Sequence, residues 1–237
     1  MSLYQVENFS FTYPGARTAA LRQISFSLEP GQFVTLIGAS GSGKTTLLRQ
    51  LKSAVAPWGD AEGGILFRGQ PLAQVEPRSQ AAEIGLVQQS PDNQLVTDKV
   101  WHELAFGLEN LGLDNQTIRL RVAEIAAFFG IEAWFHKDVA SLSGGQKQLL
   151  NLAAVMTLHP AVLILDEPTA QLDPIAAQDF LHTLAKINRE LGTAVLLTEH
   201  RLEEVLPLAD RLLVLEQGRL ISDGPPRQIA RQLQEKA

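Results

Sequence analysis

The sequence predicts an α/β fold whose core is a mostly parallel sheet, with an antiparallel β region near the N-terminus and an inserted helical region. Short apolar runs without polar alternation recur along the 237 residues and are separated by longer helical patterns. Strands that are apolar on both faces are typical of a parallel sheet covered by helices on each side. The runs that predict core strands are 33–37, 84–87, 162–165, 194–197 and 212–215.

Two regions depart from this alternation of strands and helices. Residues 4–13 and 24–28 alternate between apolar and polar positions with no helix between them, which predicts an antiparallel edge sheet. Strand-like runs disappear after residue 90, so we expect a helical subdomain at 91–158 inserted into a core of 1–90 and 159–237. Residues 217–219 predict a hairpin turn before a last strand that includes Leu220 and Ile221. The predicted helices are 45–52, 98–111, 116–129, 145–158, 174–191, 201–208 and 226–236.

The composition argues against several classes of function. The formal net charge is −6, whereas a free-standing nucleic-acid-binding domain is usually basic, so we expect no nucleic-acid partner. The absence of cysteine excludes disulfides, thiol catalysis and zinc–thiolate sites. The longest apolar runs hold about five residues, whereas a membrane-spanning helix needs roughly 20. We therefore expect a chain that is soluble when isolated and reaches a membrane only through a partner.

A glycine-rich loop lies between the strand at 33–37 and the helix predicted after it. Residues 38–45 fit the pattern G-x-x-x-x-G-K-[ST], which predicts a P-loop NTPase core. The glycines allow the backbone N–H groups to turn toward phosphate oxygens, and the helix presents its positive N-terminal end to the same anion. Lys44 supplies a cation for the β- and γ-phosphates, and the Thr45 hydroxyl is a ligand for Mg²⁺. The predicted nucleotide contacts are Gly38, Ser40, Gly41, Ser42, Gly43, Lys44, Thr45 and Thr46.

Two acids follow the buried strand at 162–165. In an open α/β sheet, ligands bind beyond the carboxyl ends of the strands, so Asp166 and Glu167 are expected to face the glycine-rich loop. We predict that Asp166 holds Mg²⁺ through water and that Glu167 orients or deprotonates the attacking water. Acids also occur at strand ends because chains reach the surface there, and it is the adjacent phosphate loop that favours the catalytic interpretation.

The segment Leu-Ser-Gly-Gly-Gln at 142–146, followed by a helix, is a second predicted anion site. Ser143, Gly144, Gly145 and Gln146 present N–H groups and a hydroxyl at a helix N-terminus. With this motif the chain resembles the ABC ATPase family over nearly its whole length. The resemblance implies the ABC ATPase fold, bound ATP and Mg²⁺, and hydrolysis of ATP to ADP and phosphate coupled to transport.

Further residues match landmarks of that family in the expected order. Tyr13 matches the aromatic residue that stacks on adenine, although an aromatic residue on an edge strand can also serve packing alone. Gln89, with Gln88 as an adjacent alternative, matches the glutamine that reaches toward Mg²⁺ and the attacking water. Asp173 matches the residue that crosses toward the other subunit, and His200 matches the histidine that bonds the γ-phosphate.

The resemblance also implies partners. In the family, the 142–146 motif of one subunit closes over the nucleotide held by the other, so we expect a homodimer or a heterodimer of related subunits. Residues 91–96, 103–107 and 200–205 look like the ATPases of energy-coupling factor importers for vitamins or metal ions. This implies integral membrane subunits that contact residues 89–101 and a peripheral location at the cytoplasmic face of the membrane. Trp101 and Phe106 fit either that interface or ordinary helix packing.

Other interpretations remain open at this point. A soluble, non-transport ABC ATPase and the ATPase of another importer or exporter class share the same motifs. Long coiled coils of the repair and chromosome types do not fit into the roughly 100 residues between Gly43 and Leu142. Intact Lys44, Glu167 and His200 argue against a regulatory subunit that does not hydrolyse ATP. The helix after the motif is less basic than is usual, and the chain could be half of a longer polypeptide with two ATPase units.

Overall fold

A computed structural model describes residues 2–234 of the chain, and the last two residues of the predicted helix 226–236 lie outside this range. The strands are β1 (Tyr4–Thr12), β2 (Leu21–Leu28), β3 (Phe33–Ile37), β4 (Asp60–Phe67), β5 (Gln70–Pro71), β6 (Ile84–Val87), β7 (Val162–Asp166), β8 (Ala194–Thr198), β9 (Arg211–Glu216) and β10 (Arg219–Gly224). The helices are α1 (Lys44–Gln50), α2 (Pro77–Glu83), α3 (Val100–Asn110), α4 (Asn115–Phe129), α5 (Gly144–Met156), α6 (Pro174–Leu191), α7 (Leu202–Val205) and α8 (Pro226–Gln234).

The larger sheet carries the predicted α/β core. Its order is β10-β9-β3-β8-β7-β6, in which β9, β3, β8, β7 and β6 run parallel and β10 pairs antiparallel with β9. All five apolar runs in the sequence form its parallel strands, and the predicted hairpin leads into β10. The residues of β3, β6 and β8 are all buried, as expected for a sheet covered on both faces.

The smaller sheet is antiparallel and has the order β2-β1-β4-β5. The antiparallel pairing of β1 with β2 confirms the predicted edge sheet. The sequence patterns did not predict β4, because Gly63 and Gly64 interrupt it and its first four residues are exposed. A strand that contributes few buried side chains gives no alternation of polar and apolar residues to recognise.

Helices dominate the chain between β6 and β7. This stretch holds α3, α4 and α5 with short 3₁₀ turns, and α5 contacts both α3 and the sheet strand β6. One apolar core joins these helices and α6 to one face of the larger sheet, while a second core joins its other face to α1 and the smaller sheet. Since α5 belongs to the inserted helices and also covers the sheet, the boundary of the inserted subdomain at 158 stays a proposal.

Several predicted boundaries need correction. The helix predicted at 201–208 is reduced to the single turn of α7, because Pro207 has no N–H to continue a helical hydrogen-bond ladder. The helix predicted to begin at 98 begins at Val100, since Lys99 is extended and forms a bridge with Asp138. Helix α2, which begins with Pro77, was not predicted. Within residues 2–234, no helix is both long enough and apolar enough to cross a membrane.

Candidate functional site

The sheet brings the predicted site together at one edge. Strands β3, β8, β7 and β6 are successive parallel neighbours, so their carboxyl ends lie side by side. The glycine-rich loop follows β3, Asp166 and Glu167 end β7, His200 follows β8, and Gln89 follows β6. Ligands of open α/β sheets bind in this position.

At Gly38 and Gly43 the glycine-rich loop passes so close to other backbone that neither position has room for a side chain. A Cβ atom on Gly38 would lie 2.2 Å from the carbonyl oxygen of Leu215. Gly43 precedes α1 with φ of 107°, a left-handed conformation that favours glycine, and its Cβ would lie 2.8 Å from the carbonyl oxygen of Ala20. Glycine at these two positions therefore allows the tight loop that a phosphate cradle would require.

Lys44 provides a cation in this loop that no anion of the described chain neutralises. The side chain is buried, and Nζ donates to the carbonyl oxygens of Gly38 at 2.9 Å and Ala39 at 3.2 Å. No carboxylate among residues 2–234 lies within ion-pair distance of it. The hydroxyl of Ser42 is also buried and has no hydrogen-bond partner in the described part of the chain. A buried charge and a buried unpaired hydroxyl both favour an anionic ligand here.

A cavity of about 280 Å³ lies over the loop, and Tyr13 and Glu167 are among the residues that line it. The remaining lining residues are Ala20, Ser40, Gly41, Gly43, Lys44, Thr45 and Thr46. The Tyr13 hydroxyl lies 3.0 Å from Thr46 Oγ1, and its ring meets Phe11 edge-on at 4.9 Å. Tyr13 is 39% exposed, so it is fixed at the mouth of the cavity and still accessible to a planar ligand.

The three predicted Mg²⁺ ligands line a second, adjoining cavity. Thr45, Gln89 and Asp166 all border this space of about 180 Å³, and each carries a side-chain oxygen. The Asp166 carboxylate accepts a hydrogen bond from the Thr198 hydroxyl at 2.9 Å. Mg²⁺ prefers oxygen ligands and keeps several waters, so a set of one carboxylate, one hydroxyl and one amide fits it. Gln88 borders the same cavity, and the choice of Gln89 over Gln88 stays a prediction.

Two of the predicted catalytic side chains, those of Glu167 and His200, touch each other. His200 Nε2 lies 2.7 Å from Glu167 Oε1. The Glu167 N–H donates to the carbonyl oxygen of Thr198 at 3.1 Å and its hydroxyl at 2.9 Å. Glu167 has φ of 48°, a left-handed conformation uncommon for a residue with a side chain, and strain of this kind persists where surrounding contacts enforce it. With this backbone conformation, the carboxylate of Glu167 reaches His200.

Glu199 fixes the turn that carries His200. The side chain is 4% exposed, and its carboxylate accepts from the Thr169 hydroxyl at 2.6 Å, from His200 N at 2.9 Å and from Arg201 N at 3.3 Å. The turn after β8 is therefore bonded to the loop after β7. The sequence patterns predict no role for Glu199, because its hydrogen bond to Thr169 joins segments that lie 30 residues apart.

The 142–146 motif caps α5. Ser143 Oγ accepts from Gln146 N at 3.3 Å, and Gln146 Oε1 accepts from Ser143 N at 3.0 Å. This reciprocal capping box satisfies two backbone N–H groups and fixes the turn at the helix N-terminus. Ser143, Gly145 and Gln146 border a cavity of about 290 Å³ that shares no lining residue with the cavity over the phosphate loop. One chain thus presents the two predicted anion sites separately.

Asp173 lies at the N-terminus of α6. It lines neither the cavity over the phosphate loop nor the adjoining cavity of the predicted Mg²⁺ ligands. Its carboxylate accepts from Ala176 N at 3.0 Å and so caps the helix. The preceding carbonyl of Leu172 accepts from Arg201 Nη2 at 3.1 Å, which links this segment to the turn that carries His200. Within one chain Asp173 is a helix cap, and its predicted contact with nucleotide stays a prediction that requires a second chain.

Comparison with known proteins places this geometry in a family. The ABC transporter family pattern matches residues 21–170. A putative ABC transporter ATP-binding protein of Bacillus cereus is 50% identical over 225 residues, which are 95% of this chain and 41% of that protein. The solved structure of cbiO1 from Clostridium perfringens, part of the ABC transporter complex cbiONQ, is 32% identical to this chain and superposes with a TM-score of 0.88. The match covers 99% of this chain and 92% of cbiO1.

A further solved structure, the ADP conformation of the cassette MJ1267, has a TM-score of 0.82 at 26% identity, with 99% of this chain and 96% of that one covered. The chain belongs to the ABC transporter family, and its fold is that of the family's ATP-binding cassette. It spans about two fifths of the length of several curated relatives that it matches.

Proposed function

We propose that the chain binds ATP with Mg²⁺ and hydrolyses it as one of two paired cassettes that power a membrane transporter. The observation that carries this proposal is the contact of 2.7 Å between His200 and Glu167, at the sheet edge where the phosphate loop also lies. A phosphate loop alone would fit many nucleotide-binding proteins. A strained glutamate held against a histidine beside that loop favours hydrolysis.

The residues of the loop would bind the triphosphate. The N–H groups of the loop and the N-terminus of α1 bond the phosphate oxygens, and Lys44 adds a positive charge that the described chain leaves unpaired. The ring of Tyr13 stacks on adenine, a contact worth about 1–3 kcal/mol in base-stacking sites. Mg²⁺, held by Thr45, Gln89 and Asp166, would neutralise charge on the phosphates.

Glu167 and His200 would act on the attacking water. Glu167 accepts a proton from the water as its oxygen bonds to the γ-phosphorus, and the bond to the leaving ADP breaks on the opposite side. His200 donates to a γ-phosphate oxygen once nucleotide is bound. In the structure it bonds Glu167, so nucleotide binding would exchange one hydrogen bond of His200 for another. Glu199 holds the turn of His200 during this exchange.

Closure of the site would require a second chain. Ser143, Gly144, Gly145 and Gln146 would form an anion site, and all of them except Gly144 line a cavity that is separate from the phosphate-loop cavity of the same chain. Placed over the nucleotide of a partner, these residues would exclude water and add donors to the γ-phosphate, which strengthens electrostatic stabilisation. Asp173 would cross the same interface. The region 91–158 would move as a subdomain against the rest of the chain during closure.

Substitution of Glu167 tests this proposal. Glu167→Gln keeps the shape of the side chain and removes the base, so ATP turnover is expected to fall by roughly 10²–10⁴-fold. The variant should still bind ATP and should form a dimer in the presence of ATP and Mg²⁺ on gel filtration. Glu190→Gln on α6, an exposed acid that lines neither the phosphate-loop cavity nor the cavity of the 142–146 motif, is the matched control. Persistent turnover in Glu167→Gln would refute the assignment.

We further propose that the transporter is an energy-coupling factor importer of a vitamin or metal ion, and that the chain lies at the cytoplasmic face of the membrane. The segment 89–101 would contact integral membrane subunits. Val96, Trp101 and Phe106 support this, since they are 63%, 41% and 39% exposed rather than packed in the core. The likeness to cbiO1 points the same way. Co-purification with integral membrane proteins tests the proposal, and partners that are only soluble would contradict it.

A further inference from the structure

We propose that Gln148 is a positioning residue that ties the helix of the 142–146 motif to the two loops carrying Glu167 and Gln89. The inference rests on the proposed ATP hydrolysis and concerns how the partner's closure reaches the chemistry. Gln148 lies on α5, whose first turn carries the motif, and its side chain is 0% exposed. No sequence motif predicts a role for Gln148.

The amide of Gln148 reaches two loops at once. Nε2 donates to the carbonyl oxygen of Pro168 at 2.9 Å and to that of Gln88 at 3.2 Å. Pro168 follows Glu167 directly, and Gln88 precedes Gln89 directly. Because both neighbours are acceptors, only the NH₂ end of the amide can face them. Oε1 is left buried without a hydrogen-bond partner in the described part of the chain.

A second link runs parallel to the first. Asn151, three residues further along α5 and on the same side of the helix, donates to Gln94 Oε1 at 3.0 Å. Gln94 Oε1 also accepts from Gln88 N at 3.0 Å, and Gln94 Nε2 donates to the carbonyl oxygen of Leu86 at 2.7 Å. Gln88, which follows β6, is therefore linked to α5 twice: its carbonyl oxygen bonds Gln148 directly, and its N–H bonds Gln94, which in turn bonds Asn151.

This arrangement converts a movement of the motif into a movement of the catalytic loops. Ser143 and Gln148 are five residues apart, about 7 Å along a rigid helix. When a partner draws the Ser143 turn onto its own nucleotide, the same helix moves the carbonyls of Pro168 and Gln88. The partner's closure would thus adjust the positions of Glu167 and Gln89. Gln148 acts through these residues and touches no substrate itself.

A buried glutamine can also be merely structural, and the chain contains a matched example. Gln80 is 5% exposed, and its Nε2 donates to the carbonyl oxygens of Leu72 at 2.9 Å and Val75 at 3.0 Å. Its Oε1 accepts from Ser53 N. Like Gln148, Gln80 is buried and its Nε2 donates to two backbone carbonyls, but Gln80 bonds no loop of the candidate site.

The experiment compares Gln148→Met with Gln80→Met in the full chain. Methionine fills the volume of glutamine without donating hydrogen bonds, so both variants should lose thermal stability. Gln148→Met is expected to lower kcat of ATP hydrolysis at least about tenfold with KM within about twofold, because the phosphate loop and Tyr13, which would bind the nucleotide, are untouched. Gln80→Met should retain the wild-type kcat. Amide hydrogen exchange of nucleotide-free protein should accelerate at 166–170 and 88–94 only in Gln148→Met.

Equal kcat values and equal exchange in the two variants would overturn the assignment, whatever their stability. If the wild-type chain does not hydrolyse ATP, both the proposed function and the positioning role of Gln148 are wrong. If wild type hydrolyses ATP and Gln148→Met has the same kcat, only the positioning role is wrong. Should Gln148→Met not fold, Gln148→Leu paired with Gln80→Leu carries the same comparison, since leucine is uncharged and cannot donate a hydrogen bond.

Discussion

Replacement of Glu199 separates the position of His200 from its chemistry. The Glu199 carboxylate accepts three hydrogen bonds, from the Thr169 hydroxyl and from the N–H groups of His200 and Arg201. Glu199→Ala removes all three in a buried site. At about 1.5 kcal/mol for each hydrogen bond to a charged group, the loss of unfolding free energy is roughly 4.5 kcal/mol. For a chain of this size that corresponds to a fall in Tm of about 9–18 °C.

Glu199→Gln is the matched control for this prediction. Both backbone N–H groups bond Oε1, and the amide oxygen of glutamine can accept them in the same way. The Thr169 hydroxyl can turn and accept from the amide NH₂. Since charge-assisted bonds are roughly twice as strong as neutral ones, this variant should lose about half as much, roughly 2 kcal/mol.

Two assays check the pair of variants. Urea unfolding should rank wild type above Glu199→Gln and Glu199→Gln above Glu199→Ala. The kcat of ATP hydrolysis should fall at least about tenfold in Glu199→Ala, because His200 loses the bond that fixes its backbone, and stay within about threefold of wild type in Glu199→Gln. An alanine variant as stable and active as the glutamine variant would refute the role assigned to this carboxylate.

Three further outcomes follow from the site and the helix caps. Ser143→Arg should reduce turnover by at least ~100-fold and leave ATP affinity of the isolated monomer unchanged, because it acts on the partner's nucleotide; a lost monomer affinity in equilibrium binding would contradict this. Tyr13→Ala should raise the Kd for ATP by roughly 5- to 150-fold, and Tyr13→Phe, which keeps the ring, should bind ATP nearly as wild type does. Hydrogen bonds from the Thr117 hydroxyl and backbone to the Asp114 carboxylate lower the pKa of Asp114. The stabilisation of the folded chain by the ionised Asp114 carboxylate is therefore fully present above the ordinary carboxyl pKa and is lost as pH falls through the lowered pKa. The Tm values of wild type and Asp114→Ala should differ near neutral pH and converge in acid.

The central sheet could be predicted from sequence because burial on both faces leaves uninterrupted apolar runs. Strands β3, β6 and β8 are of this kind, and their bounds differ from the predicted ones by at most one residue. Strand β4 and helix α2 were missed, since β4 is interrupted by glycines and largely exposed, and α2 is a short element with one buried residue. Periodicity reports burial, and weakly buried elements carry little of it.

The candidate site divides in the same way. Residues whose spacing is itself a pattern, such as Lys44 and Ser143, could be found from the sequence because one backbone segment contains the whole signal. Glu199 and Gln148 could not, since their roles depend on carbonyl and hydroxyl groups of loops 20 to 60 residues away. Side chains that act by holding two loops together become visible only when the fold brings those loops side by side.

Cross-linking between two chains tests the central claim most directly, that Ser143 of one chain closes over the phosphate loop of another. The sequence contains no cysteine, so Ser40→Cys and Ser143→Cys introduced together into Glu167→Gln supply the only thiols. With ATP and Mg²⁺ under mild oxidation, a covalent dimer should form in high yield, and without nucleotide it should not. A covalent bond within single chains, or a dimer yield that is independent of ATP, would contradict the account.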